Sequence, residues 1–196
     1  MLAKRSTRNQ KQRLTAFKDM RGAFMSLRAV GADVHQMTRA VGPATTMYGV
    51  EHYGMADTAL KDNRTSIAAS ASSDTAGRDI DTRLHVIDGP NGTMDTAFDA
   101  HAMLAKYWAL AVWQAWFPVP MLEEAVVLAR KRISNCKGSV WAVVAGPTSA
   151  LIASLARIGW KLLSATLAMD DIGWTCNFAR DPPAAIVKAI QATVRR

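Results

Sequence analysis

Leu14, Phe17, Phe24 and Leu27, with Met20 alongside, recur at three- to four-residue spacing across residues 10–30, the period of an amphipathic helix, and Gly31 ends the run. A shorter helical pattern over residues 34–41 reaches Gly42-Pro43, and another covers residues 57–70 with Asp57 as its N-cap. Over residues 71–92 the period disappears. Ser, Asp, Gly and Thr crowd together there, and Gly89-Pro90-Asn91-Gly92 is turn chemistry, so the segment reads as a linker. Thr96 with Asp99 three residues on resembles a capping box and opens a helix through Phe98, Trp108, Val112 and Trp116 that stops at Pro118. After Lys106 its only polar side chain is Gln114, so this helix is expected to be buried nearly all round, with Trp108, Trp113 and Trp116 in the core.

Pro120 then starts a helix with Glu123 and Glu124 in its first turn, Arg130, Lys131 and Arg132 in its last, and Leu122, Val126, Ala129 and Ile133 as its buried stripe. Residues 140–145 suit strand or helix equally. Residues 147–158 form a helix closed by Gly159. Residues 161–169 and 174–178 pair as a hairpin about Asp170-Asp171-Ile172-Gly173, and Asp181-Pro182-Pro183 caps a last helix. The expected fold is mainly α, a helical bundle in two small modules with at most one short β-hairpin at about 161–178. The modules are residues 1–70 and 93–196, joined by the linker at 71–92.

Charge changes this picture in one place. The chain of 196 residues carries +8, yet residues 1–28 hold eight bases against one acid, leaving +1 for the other 168. Lys4, Arg8, Lys11 and Lys18 fall opposite the apolar stripe of the leading helix. Arg13, Arg21 and Arg28 lie beside or within it, so their stems are expected to pack while their heads reach outward. Clustered bases among Ser6, Thr7, Asn9, Gln10 and Gln12 form the electrostatic footprint of phosphate-backbone contact, with a solvated helix face as the plainer alternative. The candidate nucleic-acid-binding residues are therefore Lys4, Arg5, Arg8, Lys11, Arg13, Lys18, Arg21 and Arg28.

Other chemistry is sparse. Cys136 and Cys176 make neither a disulfide framework nor a paired zinc-ligand spacing, and the basic, polar start of the chain lacks the apolar core of a secretory signal, so an intracellular, reducing compartment is expected. Uncharged stretches at 107–122 and 138–156 are interrupted by Pro118, Pro120 and Gly146-Pro147, so neither is expected to span a membrane. His35, His52, His85 and His101 are scattered without ligand spacing, and the approach to Pro147 lacks the glycines and lysine of a phosphate loop. No catalytic residue, metal, cofactor or small-molecule substrate is expected, and the oligomeric state stays open.

Met47-Tyr48-Gly49-Val50-Glu51-His52-Tyr53 resembles the Leu-Tyr-Gly-x-Glu-x-Trp segment that follows the palm in reverse transcriptases of non-LTR retrotransposons, with Tyr53 where that family commonly has Trp. The order of features agrees: a basic amphipathic helix precedes the segment and a further helix follows. Residues 95–196 resemble the C-terminal extension of reverse-transcriptase-like reading frames, through a Trp-rich helix from Trp108 to Trp116, then Arg157-Ile158-Gly159-Trp160, Asp170-Asp171-Ile172-Gly173 and Asp181-Pro182-Pro183. The resemblance implies a thumb-like basic module whose helices grip RNA or DNA backbone, in a family of RNA-directed DNA polymerases whose catalytic palm has no counterpart in this chain. Asp170 and Asp171 do not inherit the palm's metal-binding role: two-metal chemistry needs a further carboxylate on a neighbouring strand, and a polar turn is expected instead. The resulting reading is a non-catalytic C-terminal fragment of a retroelement reverse transcriptase that binds nucleic-acid backbone. An inactive helical gene fragment and a membrane-associated helical protein are the alternatives.

Overall fold

The computed structural model describes residues 8–72, 79–89 and 92–195. The chain is mainly helical with one small antiparallel sheet, as the hydrophobic pattern requires. It divides into two units that are discontinuous in sequence. Ser6–Tyr48 and Ala56–Ala97 make an N-terminal unit, while Gly49–Met55 and Phe98–Arg196 make a C-terminal one. The segment read as a linker thus belongs largely to the N-terminal unit, and the Tyr-Gly-x-Glu segment leaves that unit for the other.

In the N-terminal unit the expected leading helix is two, α1 (Arg8–Asp19) and α2 (Arg21–Ala29), which break at Met20. Phe17 and Phe24, seven residues apart, still enter one core, with ring centroids at 6.1 Å. Val34, Ile67, Ala68, Leu84 and Met94 complete it. α3 (Val34–Thr46) runs through Gly42-Pro43 where the sequence suggested an end. Ile67 and Phe17 pack closely beside it, since a Cβ on Gly42 would sit 3.3 Å from Ile67 and 3.4 Å from Phe17. Tertiary packing therefore carries the helix across a breaker. α5 (Asp57–Ala71) begins after Ala56, which corrects Asp57 from N-cap to first-turn residue.

Within the expected linker, Asp79 caps α6 (Ile80–Asp88) by accepting the Thr82 N–H at 3.0 Å, a bond that also holds the Asp79 carboxyl below its ordinary range. Leu84 and Ile87 give this short helix enough apolar surface to join the core. The rest of the expected turn chemistry, at 73–78 and at Pro90 and Asn91, lies outside the described residues.

The C-terminal unit contains the one-turn α4 (Val50–Tyr53), then α7 (Thr96–Trp113), whose first two residues belong to the N-terminal unit, α8 (Val119–Ser134), a 3-10 turn at Val140–Ala142 and α9 (Pro147–Arg157). The cap of α7 is Asp95, which accepts the Ala97 N–H at 2.9 Å; Thr96 is buried instead and accepts from Asn63. From Thr96 to Val112 only Lys106 and Tyr107 are exposed, so the expected near-total burial holds until the last residue. The helix stops well before Pro118. Ala115 takes φ +50°, and the Trp116 N–H bonds back to Ala111 at 2.9 Å, closing the turn in a Schellman pattern with alanine where glycine is usual. Because α8 opens at Val119, Glu123 and Glu124 fall in its second turn, while its buried stripe of Leu122, Val126 and Ala129 is as expected.

The hairpin region is a three-stranded meander, β1 (Lys161–Leu162), β2 (Leu167–Met169) and β3 (Thr175–Asn177). The expected first arm folds on itself because the bend at 163–166 is held from outside. Trp108 donates to the Ala165 carbonyl at 2.8 Å, the Glu123 carboxylate accepts the Ala165 N–H at 2.9 Å, and Arg130 donates to the carbonyls of Leu162 and Leu163. Ala168 pairs with Cys176, both buried. A last helix, α10 (Pro183–Arg195), packs Ile186 and Ile190 inward.

Burial of Cys176, with the Asp181 carboxylate adding a smaller contribution, pushes its thiol up to about 11, while Cys136 is partly exposed. Since the thiolate is the reactive form, Ellman's reagent at neutral pH is expected to titrate one thiol, Cys136, in the native protein and two in denaturant. Two rapid native thiols would contradict this packing.

Candidate nucleic-acid interface

The stripe of α1 and α2 turns Phe17 and Phe24 inward, which fixes where the cations point. Arg8, Lys11, Lys18 and Arg21 are exposed, whereas Arg13 and Arg28 are half-buried. Arg21 thus departs from the expected snorkelling set. Arg13 and Arg28 follow it, and both heads are occupied: the Arg13 guanidinium stacks 4.1 Å from the Tyr48 ring centroid, and Arg28 donates to the Ser70 carbonyl at 2.6 Å. These two residues hold the helices to their own unit more than they offer charge outward. Lys18 lies 3.9 Å from Asp62 with both side chains well exposed, an ion pair of little strength in water. Arg8, Lys11 and Arg21 have no ion pair or hydrogen bond from their side chains among the described residues. Lys4 and Arg5 lie outside the described residues.

Lys18 and Arg21 also edge a cleft of about 290 Å³ whose far wall is α5, with Asp62, Thr65, Ser66, Ala69 and Ser70. Its hydroxyls are committed as donors: Thr65 to the Lys61 carbonyl at 2.8 Å, Ser66 to that of Asp62 at 2.7 Å, and Ser70 to that of Ser66 at 2.9 Å. The cleft therefore presents two cationic donors on one wall, with hydroxyl acceptors and one carboxylate on the other. Only the cationic wall can donate to an anion, and the cleft has no set of directional donors for reading bases. Sequence reasoning found the cationic wall through its charge run and missed α5, whose Thr and Ser residues carry no signal until the fold sets them opposite Lys18.

The remaining candidates resolve into structural roles. Asp170, 7% exposed, accepts the N–H groups of Ile172 at 3.0 Å and Trp174 at 2.7 Å and so builds the β2–β3 turn. No group of three His, Cys, Asp or Glu among the described residues is arranged to hold a metal ion. At the start of α9, the N–H groups of Ala145 and Gly146 are taken by the Ser149 hydroxyl at 3.0 and 3.3 Å, which is an ordinary helix start. His101 is buried against Ser154, with 2.8 Å between Nδ1 and Oγ. Among the tryptophans expected in the core, Trp108 is buried, but Trp113 and Trp116 are 47% and 50% exposed: Trp113 lies seven residues from Lys106 on the exposed side of α7, and Trp116 follows the turn at Ala115. Among the described residues no helix is long and apolar enough to cross a membrane. No family model, curated protein or solved structure matches this chain.

Proposed function

We propose that this chain binds nucleic-acid backbone without sequence preference through the outward cationic face of α1 and α2, and that it derives from the thumb and C-terminal region of a retroelement reverse transcriptase without catalysing a reaction by itself. The observation that carries the binding reading is the state of the cations: Arg8, Lys11, Lys18 and Arg21 all project into solvent, and three of them lack a partner among the described residues. A helix face that only meets solvent needs no such concentration of unpaired like charge, which raises the cost of folding through self-repulsion. Phosphates relieve that repulsion. The derivation rests on the ordered sequence resemblance alone.

Binding of a labelled RNA–DNA hybrid, followed by anisotropy over a salt series, tests the reading. Four phosphate contacts predict a log–log salt slope of about −3 to −4, nearly equal for hybrids of unrelated sequence. Replacing Arg8, Lys11, Lys18 and Arg21 together by Gln is expected to abolish most of that slope while leaving the far-UV spectrum unchanged, since all four side chains are exposed. Absence of binding at low salt, or a slope that survives the fourfold substitution, would sink it.

A further inference from the structure

The outward face of α8 is apolar where a solvated helix would be polar. Met121, Val127 and Leu128 are 54%, 60% and 59% exposed, on the side away from the inward-packed Leu122, Val126 and Ala129. Glu124 and Lys131 share that outward face and are exposed as well. Neither charge has a partner at helical spacing: the positions three and four after Glu124 are Val127 and Leu128, and the same two residues lie four and three before Lys131. Neither side chain makes an ion pair elsewhere among the described residues. An acid and a base two turns apart therefore bracket an apolar pair, and each is unsatisfied within its own chain.

We infer that α8 is the seam of a two-fold dimer, packed antiparallel against α8 of a second copy. An isologous interface has to be self-complementary, and this face has that property about one point. With the axis between Val127 and Leu128, Glu124 and Lys131 are equidistant from it, so each Glu124 meets Lys131 of the second copy while the four central aliphatic side chains meet one another. Parallel pairing would instead set Lys131 against Lys131. A lipid surface would cover Met121, Val127 and Leu128 but would leave Glu124 inside the apolar face with no compensating charge. A second copy compensates it. Trp113, Trp116 and Phe117, 47–50% exposed, stand beside the start of α8 and lie toward the two ends of the seam.

Sedimentation equilibrium of the full chain is expected to give twice its 21.3 kDa. Glu124→Lys and Lys131→Glu should each weaken dimerisation at least about tenfold, since either change creates two like-charge contacts per dimer, and the double exchange should restore the original affinity. Leu128→Asp should give monomer with unchanged circular dichroism. A wild-type monomer at concentrations up to about 100 μM, a dimer unmoved by the single reversals, or a double exchange that fails to restore it would overturn the inference. So would a wild-type chain that stays monomeric yet co-sediments with phosphatidylserine vesicles and loses that property in Leu128→Asp, an outcome that assigns the face to lipid.

Discussion

Replacing Trp160 by alanine is expected to remove about 3–5 kcal/mol of stability, the usual cost of emptying a buried aromatic site. Trp160 is 1% exposed, follows Gly159 at the end of α9, and meets Trp174 edge-on with centroids at 6.1 Å. Its indole N–H reaches Thr193 of α10 at 3.0 Å, so one side chain joins the end of α9, the β2–β3 turn and the last helix. Small domains are stable by only about 5–15 kcal/mol, which makes this a large fraction of the total. In urea, followed by circular dichroism, the midpoint should fall by roughly 2 M with the slope preserved. Trp160→Phe keeps most of the ring and loses the bond to Thr193, so it should cost about 1–2 kcal/mol. A midpoint for the alanine variant within about 0.5 M of wild type would mean that α10 is held by something other than this contact.

In the N-terminal unit Arg64→Met is expected to cost about 3 kcal/mol, at the lower end of the cost of breaking buried ion pairs. Arg64 meets Asp95 in a two-point contact, Nε at 2.8 Å and Nη2 at 2.7 Å, and also bonds Asp81. Its side chain is 18% exposed and that of Asp95 13%. Burial lowers the affinity of the guanidinium for its proton, but the hydrogen bonds and charges of Asp95 and Asp81 outweigh this and leave it above its ordinary value. Removing the cation leaves the Asp95 carboxylate largely enclosed and uncompensated while it still caps α7. Arg64→Met with Asp95→Asn should therefore be more stable than Arg64→Met alone, because an amide tolerates the site without a countercharge. If the pair of changes proves strictly additive in thermal melts, the coupling between these two side chains is absent.

What the sequence disclosed follows from which forces are local. The stripes of α8 and α9 and the glycine that ends α9 were legible because spacing and capping act within a few residues. The mainly helical fold with its short hairpin followed from them. Three features were not legible, each for a distant cause. α6 hides in a Ser- and Asp-rich stretch because its Leu84 and Ile87 gain their stability only against Phe17 and Phe24. α3 passes through Gly42-Pro43 because Phe17 and Ile67 occupy the space beside Gly42. Trp113 and Trp116 belong to an apolar run yet face outward, Trp113 on the side of α7 that carries Lys106 and Trp116 beyond a turn at Ala115 that comes sooner than Pro118 would dictate. At the candidate interface the charge run named the residues, and the fold then divided them into outward cations and the occupied Arg13 and Arg28.

The chain's passage between units has a consequence for the order of folding. After Tyr48 it leaves the N-terminal unit for seven residues and then returns. Those residues are fixed late: Arg157, 102 positions downstream, donates to the Met55 carbonyl at 2.7 Å and stacks 4.7 Å from the Trp141 ring centroid, and Gly54, at φ +61°, lies where any Cβ would strike that ring. During synthesis the first unit can close around α3, α5 and α6 while α4 waits as an unfilled loop. Its docking partner emerges only with α9, so the step that seats α4 carries a high contact order and should be slower than closure of the first unit.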